Sequence, residues 1–395
     1  MGFGNGLKGE TVMEKGPILI LTGDYGSGHI QAAHALRKAL ASLQPELKVE
    51  VMDYMAEAHP RVHPISKYVY LSGVQTFPKT YGYFYGKTRH HNRLSSSLKF
   101  VQALGLGKFL TMLQTVKPSV VVSTFPLAAG AMSFMKNNGL YDVPNVTVIT
   151  DFTDHSYWLY PRTDYYVVGS VEVANSLSKV GVPHDIISVT GIPIRSEYNR
   201  AYDKEAIRTE IGLDPARRTL LIMGGGNGLM GQEVGETLCM ALARRELDMQ
   251  LIFVCGHNDK LRLQLSQMKF AHKLPMVVTG FTDRVPELMA ASDLLLTKSG
   301  GLTSSEALAA GLPMVIYKPL PGQEIDNASY LRQCGAAIHI EDESQLLDTL
   351  RMLLGSPSRL ETMRRQAMKA SKPYSAEAAA SLVADLVAQT NRQTV

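Results

Sequence analysis

Cysteine is scarce in this 395-residue chain: Cys239, Cys255 and Cys334 are the only three. Their number is odd, their spacing wide, and no C-x-x-C pair occurs, which excludes a disulfide scaffold or structural zinc site and fits a reducing cytoplasm. Long apolar runs are missing as well. Stretches such as Ser119–Phe125 and Leu294–Thr297 are strand-length, far short of the roughly 18 to 20 residues that a spanning helix needs. A transmembrane protein is excluded; a peripheral one is not. The opening MGFGNGLKGETVMEKGP holds no apolar core of a secretory signal, and residues 1–16 carry no reading of their own. With 45% hydrophobic and 19% charged residues, disorder and coiled coil are excluded too.

Acidic residues are absent from one long stretch, between Glu57 and Asp142. Ten basic residues fall inside it: Arg61, Lys67, Lys79, Lys87, Arg89, Arg93, Lys99, Lys108, Lys117 and Lys136. The net charge of +4 therefore hides one polarised region, because the rest of the chain carries more acid than base. The same stretch holds Tyr68, Tyr70, Phe77, Tyr81, Tyr83, Phe84, Tyr85, Phe100 and Phe109. A basic, aromatic surface suits anionic lipid headgroups or nucleic acid. His90 and His91 sit among Lys87, Arg89 and Arg93, which reads as solvated basic surface rather than a metal-ligand pair.

What is present is a rhythm of apolar runs and helical patterns from end to end, the mark of an α/β protein with parallel sheets. Strands are predicted at Pro17–Leu21, Val49–Met52, Ser119–Ser123, Asn145–Thr150, Tyr165–Val168 and Ile186–Val189. A second series follows at Arg218–Met223, Gln250–Cys255, Met276–Val278, Asp293–Thr297, Pro313–Tyr317 and Ala336–Ile340. The stretch from Pro60 to Val116 breaks the rhythm and reads as a helical or loop-like insertion. The polar Arg195–Pro215 is the expected linker. The expected units are residues 17–195 and 196–371, with 372–395 a helix packing back on the first.

Two glycine-bearing turns lie between strand and helix. The first is Gly23-Asp24-Tyr25-Gly26-Ser27-Gly28-His29. It lacks the Lys-Ser/Thr ending of a Walker A loop and the spacing of the dinucleotide fingerprint, so its free N–H groups favour some other anion or serve structure alone. His29 is either a proton acceptor for a hydroxyl or a turn histidine bonded to backbone. The second turn is Ser299-Gly300-Gly301-Leu302-Thr303, with Glu306 on the helix that follows. Its amides can hold a diphosphate while Glu306 accepts from a ribose diol. Glu306 can equally complement the helix dipole. Further on, Pro321-Gly322-Gln323-Glu324-Ile325-Asp326-Asn327 crowds sugar-binding side chains into a loop that otherwise only caps a helix.

Together these pieces resemble glycosyltransferase family 28, within it the diacylglycerol sugar transferases (bacterial processive glucosyltransferases and plant monogalactosyldiacylglycerol synthases). The resemblance is carried by GDYGSGHIQAAHAL at Gly23–Leu36, TDF at Thr150–Phe152, GIPIR at Gly191–Arg195, GGGNG at Gly224–Gly228 and GFTD at Gly280–Asp283. KSGGLTSSEALAAGLPMV at Lys298–Val315 and PGQEIDNASYL at Pro321–Leu331 carry it most strongly. The resemblance implies a GT-B architecture, two Rossmann-like domains facing a cleft, with acceptor on the N-terminal half and UDP-sugar on the C-terminal half. It implies inversion at the anomeric carbon without a metal or other cofactor, and the chain indeed lacks an Asp-x-Asp motif. Carried over residue by residue, His29 stands near the reacting groups; from the residues themselves it is the candidate base, with Asp151 and Asp154, after the strand ending at Thr150, the next. Arg195 faces the diphosphate with the Ser299, Gly300, Gly301 and Thr303 turn; Phe281 and Thr282 meet uracil, and Glu306 meets ribose. Gln323, Glu324 and Asn327 reach the donor sugar or adjoining phosphate, and Gly28, Gly225, Gly226 and Asn227 complete the donor site.

The expected activity is transfer of a hexose, glucose first, from UDP-glucose or UDP-galactose to diacylglycerol, once or repeatedly. The expected location is peripheral, on an anionic membrane surface facing the cytoplasm. Two alternatives share the fold: N-acetylglucosamine transfer to a polyprenyl-linked peptidoglycan precursor, and UDP-sugar 2-epimerisation. The Pro-Gly-Gln-Glu loop and the basic aromatic stretch favour the glycerolipid. A UDP-sugar sensor without activity fits poorly with intact donor motifs, and no nucleic-acid-binding motif accompanies the charge.

Overall fold

The computed structural model describes residues 16–90, 92, 106–226, 228 and 230–393. It contains two six-stranded sheets in which every pairing is parallel. The first has the order β2-β1-β3-β4-β5-β6, from β1 (Ile18–Thr22), β2 (Val49–Asp53), β3 (Val120–Ser123), β4 (Asn145–Val148), β5 (Tyr165–Val167) and β6 (Ile187–Ser188). The second has the order β12-β11-β10-β7-β8-β9, from β7 (Thr219–Met223), β8 (Gln250–Val254), β9 (Met276–Thr279), β10 (Leu294–Thr297), β11 (Met314–Tyr317) and β12 (Ala337–Ile340). Each expected apolar run carries one of these strands. The reason is double burial: ILILT of β1, VVVS of β3 and LLLT of β10 are buried at every position, as strands covered by helices on both faces must be.

Strand order fixes where the turns lie. In the first sheet the chain leaves β1 for β2 on one side and returns to β3 on the other; in the second, β7 and β10 flank the corresponding reversal. Ligands of open α/β sheets bind at such reversals, outside the carboxyl ends of the strands. Both glycine-bearing turns and the turn after β7 emerge there.

One apolar cluster runs through both halves, joining Ile149, Phe152 and Trp158 to Leu302, Leu308 and Tyr330. Phe152 stacks on Tyr330 at 4.1 Å between centroids. The helix Ser375–Gln393 buries Ala379, Ala380, Val383 and Val387 against β1 and the helix Ser27–Leu43 of the first half. Ser375 Oγ accepts from the Ile194 N–H at 3.2 Å, fixing where the chain crosses back. The linker holds more structure than its polarity shows. Asp203 caps a short helix, Lys204–Glu210, whose Arg208 pairs with Asp293 at 2.6 Å and ties the linker to the second sheet.

The insertion resolves into the helices His63–Thr76, Pro78–Thr88 and Leu106–Val116, while residues 93–105 lie outside the described ones. Among the described residues no helix is long and apolar enough to cross a membrane.

Candidate active site

The helices Ser27–Leu43 and Gly301–Ala309 begin on facing walls of one cleft. Its cavity of about 200 Å³ is lined by Gly28, His29, Thr150 and Asp151 from the first half, and by Gly225, Gly226, Gly300, Gly301 and Thr303 from the second. The unpaired amides of a helix start suit an anion, and here two starts point at one space. The approach is close. A Cβ on Gly301 would lie 2.1 Å from the Thr150 carbonyl oxygen, so only glycine lets the halves meet there.

Beside this cleft is a smaller recess of about 80 Å³, lined by Arg195, Gly225, Gly226, Phe281, Thr282, Thr303 and Glu306. Residues far apart in sequence converge here: Arg195 comes from the first half, Gly225 and Gly226 from the turn after β7, Phe281 and Thr282 from the turn after β9, and Thr303 and Glu306 from the helix after β10. Phe281 stacks on His257 at 4.6 Å, half exposed toward the recess. Arg195 is held by donation to the Asp283 carbonyl at 2.9 Å. Glu306 is buried, and burial lifts its carboxyl to about 7 against the opposing pull of Arg195. A buried carboxyl beside an arginine and the Tyr198 hydroxyl is a receptive place for hydroxyl donors, and a helix-dipole role would not require the burial. Asn227 lies outside the described residues.

A third cavity, about 310 Å³, opens from the cleft through the shared residues Tyr25, His29, Tyr70, Asp151 and Gln323. Its walls are aromatic: Tyr70, Tyr81, Tyr85, Phe125, Tyr157 and Trp158. His29 sits at the junction, with Phe125 and Trp158 against its ring and its Nδ1 hydrogen-bonded with Thr150 Oγ1 at 2.9 Å. Burial lowers its pKa to about 4, which keeps the ring uncharged near neutrality even though part of the residue is reached from the cleft. Burial raises Asp151 to about 7, with Glu324 and Asp326 adding to the rise.

Several residues sit differently from their sequence-based roles. Asn327 is fully buried, and its amide is used within the protein. It donates to Asp151 Oδ1 at 2.8 Å and to the Ser299 carbonyl at 2.7 Å, and accepts from the Phe152 N–H at 2.7 Å. That is a strut between the halves rather than a sugar contact. Ser299 is likewise buried, its hydroxyl donating to the Glu324 carbonyl at 2.5 Å. Glu324 lines the cleft but also accepts from the Leu320 N–H at 2.6 Å, holding its own loop. Gln323 lines both cleft and aromatic cavity and accepts from Tyr81 Oη at 2.8 Å. Asp154 lies outside both, paired with Arg89 at 2.7 Å.

The insertion also divides in a way its composition does not show. Tyr70, Tyr81 and Tyr85 turn inward to the cavity, whereas Tyr68, Phe77, Tyr83 and Phe84 are exposed, with Ile65 and Val69 beside them in the chain. Not all of its charge faces outward. Arg89 donates to both oxygens of Asp326, at 2.8 and 2.9 Å, and Lys67 pairs with Asp24; beyond the insertion, Lys136 of the same acid-free stretch pairs with Asp164 at 2.6 Å. Gly82 is a close approach of this insertion to the second half: a Cβ there would stand 2.5 Å from the Pro321 side chain. Composition marks these aromatics as one group, but no local pattern marks which ones face inward.

Two facing Rossmann-like domains with glycine-bearing turns across the cleft define a GT-B protein. Solved structures share this fold. MurG of Acinetobacter baumannii superposes with a TM-score of 0.57 at 15% identity, over 93% of this chain and 99% of that one. A kitacinnamycin glycotransferase gives 0.59 at 15% identity, over 94% and 99%. The S. aureus MnaA–UDP structure gives 0.57 at 17%, over 92% and 94%. At sequence level, the profile of monogalactosyldiacylglycerol (MGDG) synthase matches residues 29–194, and that of the glycosyltransferase family 28 C-terminal domain matches 219–381. A processive diacylglycerol beta-glucosyltransferase of Bacillus cereus (strain B4264) is 33% identical over 383 residues, 96% of each chain. One of Bacillus licheniformis is 32% identical over 349 residues, 88% of this chain and 89% of that one. The chain belongs to glycosyltransferase family 28, and it is a glycosyltransferase.

Proposed function

We propose that the protein transfers glucose from UDP-glucose to the free hydroxyl of diacylglycerol, inverting the anomeric carbon and using no metal. The observation that carries this is the junction of two unlike cavities. The cleft offers backbone amides and a recess for a nucleotide; the aromatic cavity offers ring faces, and His29 and Asp151 stand where they join. In this reading the diphosphate rests against the Gly300–Thr303 turn near Arg195, with uracil at Phe281 and Thr282 and ribose at Glu306. Gln323 and Glu324 face the sugar. The preorganised amides stabilise the leaving diphosphate where other enzymes use a cation. The aromatic rings receive the glycerol end of the lipid, and also suit the apolar face of a sugar, so a singly glycosylated lipid can return as acceptor.

Support for a lipid acceptor comes from the insertion. The two helices that line the aromatic cavity, with the residues flanking them, also expose Val62, Ile65, Tyr68, Val69, Phe77, Tyr83 and Phe84, interspersed with exposed Arg61, Lys79 and Lys87. Such a surface rests on an anionic bilayer as a peripheral contact, on the cytoplasmic side in this reading. The names of the relatives point to the same acceptor and donor sugar. The test is incubation of the protein with diacylglycerol vesicles and, separately, UDP-glucose, UDP-galactose and UDP-N-acetylglucosamine, with products resolved by mass in the presence and absence of EDTA. Monoglucosyl and then diglucosyl lipid, unaffected by EDTA, is the expected result. Hydrolysed or epimerised nucleotide sugar without glycolipid overturns it.

A further inference from the structure

The transfer reaction needs an acceptor for the hydroxyl proton, so assigning that acceptor to a residue rests on the transfer reading. We propose that Asp151 is this base, and that His29, which lines the same two cavities, hydrogen-bonds the acceptor lipid. Among the described residues, Asp151 is the only carboxylate that lines both the donor cleft and the aromatic cavity. Glu324 shares the cleft but not the aromatic cavity, and its side chain is taken by the Leu320 N–H. Asp151 Oδ1 is fixed by Asn327 at 2.8 Å, and the Gly301 backbone also bonds this carboxyl. The donor half thus orients a side chain of the acceptor half at the point where the reacting atoms must meet.

Its charged surroundings favour a proton-accepting role. Glu324 and Asp326 face it from the start of the helix Gln323–Gln333, and Tyr70, Tyr81 and Tyr85 face it from the insertion. His29 shares its cavities, and Arg89 meets the charge of Asp326 rather than that of Asp151. Burial, the largest cause, raises Asp151 to about 7, whereas it lowers His29 to about 4. A base works best when its pKa lies near the working pH, since it is then both ionised and strong enough to take the proton. The step balances simply. The acceptor oxygen bonds to C1 as its proton passes to Asp151, the C1–O bond to the diphosphate breaks with its electrons on UDP, and Asp151 then returns the proton to water.

The experiment is kcat at saturating UDP-glucose, on vesicles, from about pH 5 to about pH 9 for the wild type, D151N, H29A and E306Q. The wild type is expected to lose activity on acidification with an apparent pKa near 7, because only the carboxylate form accepts a proton. D151N should lower kcat roughly 10²- to 10⁴-fold, lose that acid limb and keep UDP affinity unchanged. H29A should keep the limb. Glu306 also titrates near 7, but it concerns donor binding, so it moves kcat/KM for UDP-glucose and leaves the limb in kcat intact in E306Q. The diesterified diphosphate of the donor does not titrate in this range. A flat wild-type kcat from pH 5 to 8, a limb that survives in D151N, or a limb lost in H29A overturns the assignment. Should D151N fail to fold, the wild-type and H29A profiles still decide it. A wild type that makes no glycolipid at any pH instead refutes the transfer reading.

Discussion

Each half of the molecule turns from strand to helix through glycines at its sheet's reversal, but the two turns present different chemistry to the shared cleft. The turn before Gly301–Ala309 offers mainly backbone: glycines, the amides of a helix start and one buried acid further along. The turn before Ser27–Leu43 delivers a side chain, His29, into a wall of rings supplied by five separate chain segments. An anion can be held by backbone dipoles that any glycine-bearing turn provides. A lipid end must be held by surface, and surface has to be collected from wherever the fold can supply it. In the proposed transfer the donor site is therefore compact in sequence and the acceptor site dispersed.

That contrast can be broken at its donor end first. Glu306→Gln keeps the shape but gives up charge-assisted acceptance, and should weaken UDP binding by about 1.5 to 3 kcal/mol. Burial raises the Glu306 carboxyl to about 7, so wild-type affinity for UDP-glucose, whose diesterified diphosphate does not titrate here, should fall as pH drops through 7 and the group protonates, while the Gln variant shows no such slope. Calorimetry at pH 6 and pH 8 reads both. Equal affinity of the two proteins at pH 8 would leave Glu306 as a helix-dipole residue.

The two turns themselves are compared by Gly301→Ala and Gly26→Ala. A Cβ at position 301 meets the Thr150 carbonyl oxygen at 2.1 Å, whereas one at position 26 meets nothing within 4 Å. The first should destabilise by about 1 to 3 kcal/mol, in line with overpacking of a tight junction, and the second should leave thermal stability unchanged. Equal melting temperatures would mean that the halves do not need their close contact.

The smallest effect tests the outer face of the acceptor side. Lys79→Glu and Lys87→Glu replace exposed residues of the insertion, and each should weaken sedimentation with anionic vesicles by about 1 kcal/mol. Raising salt should reduce the wild type's binding in the same direction, since exposed charges are screened beyond roughly 8 to 10 Å at physiological ionic strength. Equal binding of the wild type to neutral and anionic vesicles would leave the apolar face as the sole anchor.

Much of this protein is legible in its residues. Continuous apolar runs located the strands because a parallel sheet buried on both faces tolerates nothing else. The two glycine-bearing turns were legible for a related reason: a tight strand-to-helix turn at a close approach of backbones demands glycine at fixed places, and glycine is visible in a sequence. His29 and Glu306 could be named because each lies within a few residues of such a turn. Tertiary structure alone decided the rest. It turned Tyr70, Tyr81 and Tyr85 inward while leaving Tyr68, Tyr83 and Phe84 out, a matter of helix orientation against a distant loop. It made Asn327 a strut and Gln323 a cleft residue although the two stand four positions apart on one helix, because one faces Asp151 and Ser299 and the other faces the cavities. It also set the proton affinities of His29 and Asp151 in opposite directions. Burial disfavours whichever form is charged, and burial is a property of what packs around a residue, which no local stretch of sequence contains.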